Sequence, residues 1–203
     1  MARPPSDLRD ETLNENRVRL LEAAAAEFAE KGFGNANVNQ ISKAAGFAKG
    51  TIYNYFPSKR KLMLELIDEI AAQHITHISK QVEIEDEPVE RLRRFFSAGF
   101  EFVEQRPLQA RVIINAIYGP DHEIEEHTFR AYNDLFSIIM DQIVAAGIQT
   151  GEFEAGDANL LVALLMSVYL GSCSLMDQDG KIWFNPEQAL SFCLNGLRGE
   201  RAA

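Results

Sequence analysis

The sequence predicts an all-α protein of about nine helices, with a three-helix helix-turn-helix head at the N-terminus and a larger helical body behind it. Three observations predict it. Apolar residues recur at three- and four-residue spacing along nearly the whole chain, and almost no stretch alternates as a half-buried strand would. Capping and breaking residues cut this pattern into short segments. Charge is also unevenly divided. Residues 1–61 hold ten Lys/Arg against seven Asp/Glu, a net +3, in a 203-residue chain of formal charge −10, so the remainder carries −13.

The elements follow in order. Thr12 with Glu15 has the form of a capping box and predicts the first helix start, with Val18, Leu21, Ala25 and Phe28 as its apolar stripe and Gly32 as its stop. Asn37, with Gln40 three residues on, caps a second, short helix that buries Val38, Ile41, Ala44 and Ala45 and ends at Gly46. A third runs from Ala48 to Tyr55, where Pro57 forbids continuation. Ser58 caps a longer fourth helix with Leu62, Leu66, Ile67, Ile70, His74 and Ile78 near its apolar side. Beyond the acidic link Glu83–Pro88, a phenylalanine-rich helix spans Val89–Glu104 and another Pro107–Tyr118, proline suiting a first helical turn. A helix opening at Asp121 carries the stripe Phe129, Tyr132, Phe136, Ile139 and Ile143, with acids at its start where the helix dipole favours them. The loop GIQTGEFEAGD leads to an apolar helix, Asp157–Met176, and a last helix begins at Pro186.

Composition narrows the function. Hydrophobic residues make up 46% and charged residues 25%, an ordinary globular balance. The start MARPPSDLRDETLNEN has no apolar core of a signal peptide. The longest uncharged run, Leu160–Met176, falls short of the ~20 residues of a bilayer span. A cytoplasmic protein without membrane contact is expected, and Cys173 and Cys193, both in apolar surroundings, are expected as buried free thiols. No Gly-x-Ser-x-Gly elbow, phosphate loop, dinucleotide fingerprint or His-Glu-x-x-His motif occurs, so neither an enzyme nor a cofactor is expected.

The head has a more specific chemistry. From Gly32 to Leu64 there is no Asp or Glu, while Lys43, Lys49, Lys59, Arg60 and Lys61 all fall in that span. Two short helices joined by a glycine-containing turn and braced by a third make a helix-turn-helix, whose second helix enters the major groove of DNA. Phosphates repel carboxylates and attract Lys49 and Lys59, and the hydroxyls of Thr51 and Tyr53 can bond phosphate without charge. Gly50 lets the backbone come close to the duplex. Asn54 is the first choice for base reading, since an amide pairs bidentately with adenine, and Lys49 the second.

The stretch VNQISKAAGFAKGTIYNYFPSKRKLMLEL resembles the DNA-binding segment of the TetR family of transcriptional regulators, over roughly Asn16–Ile70. The resemblance implies DNA contacts at Asn37, Asn39, Lys49, Gly50, Thr51, Tyr53, Asn54, Tyr55 and Lys59. Ala48 stands where the family commonly has serine, and Asn39 where arginine is frequent. It also implies a DNA-binding domain over 1–57, a ligand-binding and dimerisation domain over 58–203, a palindromic operator, a small-molecule effector and repression.

For the body, the helix 160–176 is apolar nearly all round and must be covered on every side. With Leu190, Phe192, Cys193, Leu194 and Leu197 of the final helix, this predicts a homodimer through the last two helices. Aromatic and sulfur-bearing side chains that could line a largely apolar ligand pocket are Phe96, Phe100, Tyr132, Phe136, Met140, Met166 and Tyr169. His74 and Asn115 join them as polar groups on apolar faces, where buried polar atoms need partners. His74 with His77, and His122 with His127, lack a distinctive ligand set, and no metal is expected. The rival reading is a helical small-molecule-binding or adaptor protein without specific DNA binding, which leaves the acid-free segment unexplained.

Overall fold

The computed structural model describes residues 6–82, 87–177 and 179–197, apart from the side chains of residues 6–10, 196 and 197. Most of the acidic link, at 83–86, and the Leu197 side chain therefore lie outside the described residues. Among the described residues the architecture is helical, the sole extended pairing being one antiparallel bridge between Met176 and Ile182. The chain divides into two compact units between Glu69 and Ile70, inside a helix.

The first unit contains α1 (Ser6–Asn35), α2 (Val38–Ala44), a 3-10 turn (Thr51–Asn54) and the first part of α3 (Lys59–Val82). α1 is already under way at Thr12, so the predicted capping box lies within the helix; no glycine or proline interrupts it from Ser6 until Gly32, where it kinks. Val18 is exposed, because it sits to one side of the stripe that Leu20, Leu21, Ala24 and Phe28 define at 3.6 residues per turn. Phe28, Ile41, Ile52, Phe56 and Leu62 are fully buried and form the centre of this unit. Ile52 and Phe56 face inward together, as their i, i+4 spacing requires.

The third helix predicted for Ala48–Tyr55 is instead a 3-10 turn of four residues. Its bonds run three residues back, Tyr53 N–H to the Gly50 carbonyl and Tyr55 N–H to that of Ile52. Gly50 sits at φ 85°, a left-handed conformation that other residues adopt at a cost, and this stops a regular helix from starting at Ala48. The turn between α2 and this element is tied shut. Ser42, fully buried, donates its hydroxyl to the Ala48 carbonyl (3.1 Å), and Arg19 donates to the Ala45 carbonyl (2.7 Å) while lying over the Phe47 ring.

The second unit holds the rest of α3, then α4 (Pro88–Gln105), α5 (Pro107–Tyr118), α6 (His122–Ala131), α7 (Asn133–Ile138), a π-helical segment (Ile139–Ala145), α8 (Ala146–Thr150), α9 (Ala158–Ser174) and α10 (Pro186–Leu197). Two elements differ from expectation. The helix predicted from Asp121 through Ile143 breaks at Tyr132, whose φ −96° and ψ 7° turn the buried tyrosine inward and leave Phe129 half in solvent. Part of the predicted loop GIQTGEFEAGD is helical, as α8. Asp157 caps α9 by accepting the Asn159 N–H (2.9 Å). No described helix is long and apolar enough to cross a membrane.

Candidate functional site

Two places concentrate chemistry, one in each unit. In the first unit, Lys49, Tyr53 and Asn54 stand exposed on and just before the 3-10 turn, Tyr53 at 51%. Asn37 and Asn39 are exposed at the start of α2, where the Asn37 side chain accepts the Asn39 N–H (2.9 Å). Thr51 is half-buried. Two of the expected contact residues are already engaged within the unit. Lys59 donates to the carbonyls of Gly34 (3.0 Å) and Ala36 (3.1 Å) and lies over the Phe33 ring, so it closes off the end of α1. The Tyr55 hydroxyl accepts from Asn16 (3.1 Å). The Ser58 hydroxyl accepts the Lys61 N–H (3.1 Å), capping α3 as the sequence suggests.

Folding also brings one carboxylate to the edge of this acid-free stretch. Glu27 of α1 accepts the Asn37 N–H (2.9 Å) and pairs with Lys31 (3.0 Å). Partial burial works to raise its pKa, but the N–H and the lysine outweigh it and hold the carboxyl below its ordinary value. Only the i, i+4 spacing to Lys31 was legible beforehand; the contact with Asn37 crosses the kink at Gly32.

In the second unit, a small internal cavity of about 40 Å³ is lined by α3, α4, α5, α6, α7 and α9. Its walls are aliphatic and aromatic, with Ile70, Val103, Ile113, Ile114, Ile117, Leu135 and Leu170 among them, and among the described residues no Asp, Glu, Lys or Arg side chain lines it. Of the residues proposed from sequence, His74, Tyr132, Phe136, Met166 and Tyr169 line it. Phe96 and Phe100 do not. They are buried behind Tyr169, Phe100 stacking on its ring at 6.0 Å between centroids and Phe96 meeting Phe100 edge-on at 5.9 Å. Asn115 is exposed and outside the lining, because the buried face of α5 is set by Val112, Ile113 and Ala116. Met140 is also outside it. Phe102, Thr128 and Cys173 belong to the lining and were not singled out from the sequence. Phe102 stood in the Phe-rich run of α4, but periodicity does not say which phenylalanine meets the cavity.

The polar groups of the cavity are joined in series. The buried His74 ring stacks on Phe102 at 4.3 Å. Its Nδ1 is 3.2 Å from the Tyr132 hydroxyl and its Nε2 2.9 Å from the Tyr169 hydroxyl. Cys173, one helical turn beyond Tyr169 in α9, also lines the cavity. Gly99 of α4 makes the position of Tyr169 possible. A Cβ there would stand 2.4 Å from the Tyr169 hydroxyl, so only glycine leaves room for the ring to cross. Burial first, then the charges of His77 and Arg106, push the His74 pKa down to about 3, so the imidazole is neutral. Both tyrosines and Cys173 are pushed up by burial, the thiol to about 12.

This has a measurable consequence. The folded pKa of His74 lies below its ordinary value of 6.5, so the unfolded state takes up the proton first on acidification. The stabilising difference is complete above about pH 6.5 and is lost as the pH falls from there toward 3. Between pH 7 and pH 5, His74 accounts for about 2 kcal/mol of lost stability. In denaturant titrations at the two pH values, His74→Gln should lose less stability on acidification than the wild type by about that amount.

The other histidines form no comparable group. His77 faces Glu101 at 3.4 Å, and His122 sits between Glu125 (3.0 Å) and Glu126 (3.3 Å) on the exposed start of α6. Among the described residues no three His, Cys, Asp or Glu side chains converge as metal ligands would. Cys173 and Cys193 are buried and not paired with each other.

Residues 20–66 match the family model for bacterial regulatory proteins of the tetR family, and residues 85–187 match the model for the tetracyclin repressor-like C-terminal domain. The chain is 35% identical over 102 residues to the HTH-type transcriptional repressor KstR2 of Mycobacterium tuberculosis, an alignment spanning about half the length of each protein. It is 27% identical over 139 residues to the fatty acid metabolism regulator protein of Bacillus subtilis, covering 68% of this chain and 71% of that one. Among solved structures, the transcriptional regulator FadR from Bacillus subtilis, in complex with stearoyl-CoA, superposes with a TM-score of 0.78 at 23% identity, over 89% of this chain and 98% of FadR. PfmR from Thermus thermophilus, a TetR family transcriptional regulator, superposes with a TM-score of 0.69 at 26% identity, over 90% of this chain and 98% of PfmR.

Proposed function

The chain belongs to the TetR family of transcriptional regulators, and on that premise we propose that it is a homodimeric DNA-binding repressor released from a palindromic operator by a small, largely apolar ligand. The observation that carries this reading is the exposed group Lys49, Tyr53 and Asn54 on the second element of a helix-turn-helix that has no Asp or Glu between Gly32 and Leu64. A surface in contact with DNA needs cations and neutral hydrogen-bond donors and tolerates few carboxylates. Asn37, Asn39, Gly50 and Thr51 extend the contact surface. Tyr55 and Lys59 act on it indirectly, Tyr55 by holding the recognition turn to α1 through Asn16 and Lys59 by holding the start of α3 to the end of α1.

Tyr53 and Asn54 are assigned different work. Tyr53 bonds phosphate, so Tyr53→Ala should weaken binding to every duplex by a similar factor, of order tenfold. Asn54 reads a base, so Asn54→Ala should narrow the gap between the operator and its single-base variants, each mismatch normally costing about 1–3 kcal/mol. Fluorescence anisotropy against an operator found by genomic footprinting, and its mutated versions, tests both. Equal discrimination by wild type and Asn54→Ala would remove Asn54 from base reading.

The cavity of the second unit supplies the ligand site. At about 40 Å³ it has room for a few waters, whereas ligand pockets enclose roughly 300–1,000 Å³. An organic ligand therefore has to displace the surrounding helices to enter. One of these is α3, a continuous helix that contributes residues 59–69 to the first unit and residues 70–82, with Ile70 and His74 on the cavity wall, to the second. Ligand entry would thus bias the arrangement of the DNA-binding elements, and it can do so only by binding the released arrangement better than the operator-bound one. The stearoyl-CoA complex of FadR supports an aliphatic ligand for this apolar wall.

A further inference from the structure

Resting on the reading of the cavity as the ligand site, we propose that Tyr132, His74 and Tyr169 form a reversible hydrogen-bond relay that selects apolar ligands bearing one uncharged polar group, such as a ketone, ester, thioester or hydroxyl, and places that group at the Tyr132 hydroxyl. The relay is buried, lines the cavity, and is connected through both ring nitrogens: Tyr132 to Nδ1 (3.2 Å) and Nε2 to Tyr169 (2.9 Å).

A neutral imidazole has one N–H and one bare nitrogen, so its two bonds must run in the same direction. In one direction Tyr132 donates to Nδ1 and Nε2–H donates to Tyr169. Tyr132 then offers only lone pairs to the cavity. In the other direction Tyr169 donates to Nε2 and Nδ1–H donates to Tyr132. Tyr132 then offers its proton. The two directions are the two neutral tautomers of the imidazole, with the tyrosine hydroxyl protons rotated about their C–O bonds to match, so every group holds one proton in both and stays uncharged. The site thus adapts to a ligand that accepts or a ligand that donates. Thr128 does not donate to a ligand, since its hydroxyl proton is committed to the Ile124 carbonyl (2.8 Å).

The same walls reject charge. Among the described residues the lining carries no ionised side chain of either sign, so a carboxylate or ammonium drawn inside would lose its hydration and gain no counter-ion there. A charged part of a ligand has to remain outside the cavity. Phe129, at the rim and 41% exposed, marks where such a ligand would leave it.

Three probes of equal carbon number test this: pentylbenzene, the ketone 1-phenylpentan-1-one and the anion 5-phenylpentanoate, titrated into the full-length wild type and Tyr132→Phe. The ketone is expected to bind wild type at least tenfold more tightly than Tyr132→Phe. Pentylbenzene should bind both alike, and the anion should bind wild type at least tenfold more weakly than the ketone. In ketone-bound wild type, ¹⁵N NMR of the His74 ring should show Nδ1 protonated and Nε2 bare, because a ketone only accepts. Equal ketone affinity in the two proteins, or an Nε2-protonated ring with the ketone bound, would overturn the relay while leaving the ligand site in place. Failure of all three probes, pentylbenzene included, would overturn the ligand site and the relay together.

Discussion

Phe192→Glu is expected to make the protein monomeric and, through that, to lower operator affinity by roughly 10²–10⁴-fold, the factor lost when two linked binding events become one. The basis is an apolar face that a single copy leaves open. Leu164 is 55% exposed and Phe192 69%, and together with Leu161, Leu165 and Val168 they border a shallow groove between α9 and α10, with Leu160, 57% exposed, also on α9. Burying each such side chain stabilises an interface by about 1.5–3 kcal/mol. A second copy placing its own α9 and α10 here would form a two-fold, self-complementary interface. A glutamate at position 192 would bring two carboxylates into that interface, one from each copy, without a cation to pair them. Sedimentation at micromolar concentration should give a dimer for wild type and a monomer for the variant, and anisotropy the matching loss of operator binding. A dimeric variant would rule out this face. A monomeric variant with undiminished operator affinity would separate dimerisation from DNA recognition.

Raising salt from 50 to 200 mM is expected to weaken wild-type operator binding by about 10³-fold, the response of some six neutralised phosphates across a dimer. The body works against binding: residues beyond 61 carry net −13, so attraction has to come from a small group of cations on the first unit. Lys49 is the exposed one adjoining the recognition turn, whereas Lys59 is held by two carbonyls. Lys49→Gln removes one charge from each protomer and should reduce the slope of log K against log salt by about 2. Lys59→Gln should instead lower the stability of the first unit, as its α1 carbonyls lose their donor. A salt-independent affinity would exclude phosphate contact altogether, and an unchanged slope in Lys49→Gln would exclude this lysine.

The two candidate sites were legible to different degrees, and the reason is distance along the chain. The residues proposed to face DNA fall within 37–59, where cap, turn and breaker chemistry act between close neighbours. Asn37 caps α2, Ser58 caps α3 and Ile52 and Phe56 turn inward as their spacing indicates. Even there, the shortening of the third helix followed from a backbone angle at Gly50 that composition does not express. The cavity was less legible. Met166 and Phe136 line it, but Phe96 and Phe100 stand behind Tyr169, and Asn115 faces away. Aromatic residues at helical spacing look alike in sequence whether they border empty space or another ring.

What the amino-acid order determined was local: helical periodicity, the helix-turn-helix with its acid-free surface, the apolar last two helices and their need for cover. These depend on interactions within one or two turns, which a sequence states directly. The break at Tyr132, the room that Gly99 leaves for Tyr169 and the meeting of His74 with tyrosines 58 and 95 residues away were decided by packing. No local rule carries them, because a buried imidazole is held by whichever hydroxyls the folded helices bring within bonding distance, and that is a property of how the helices pack together.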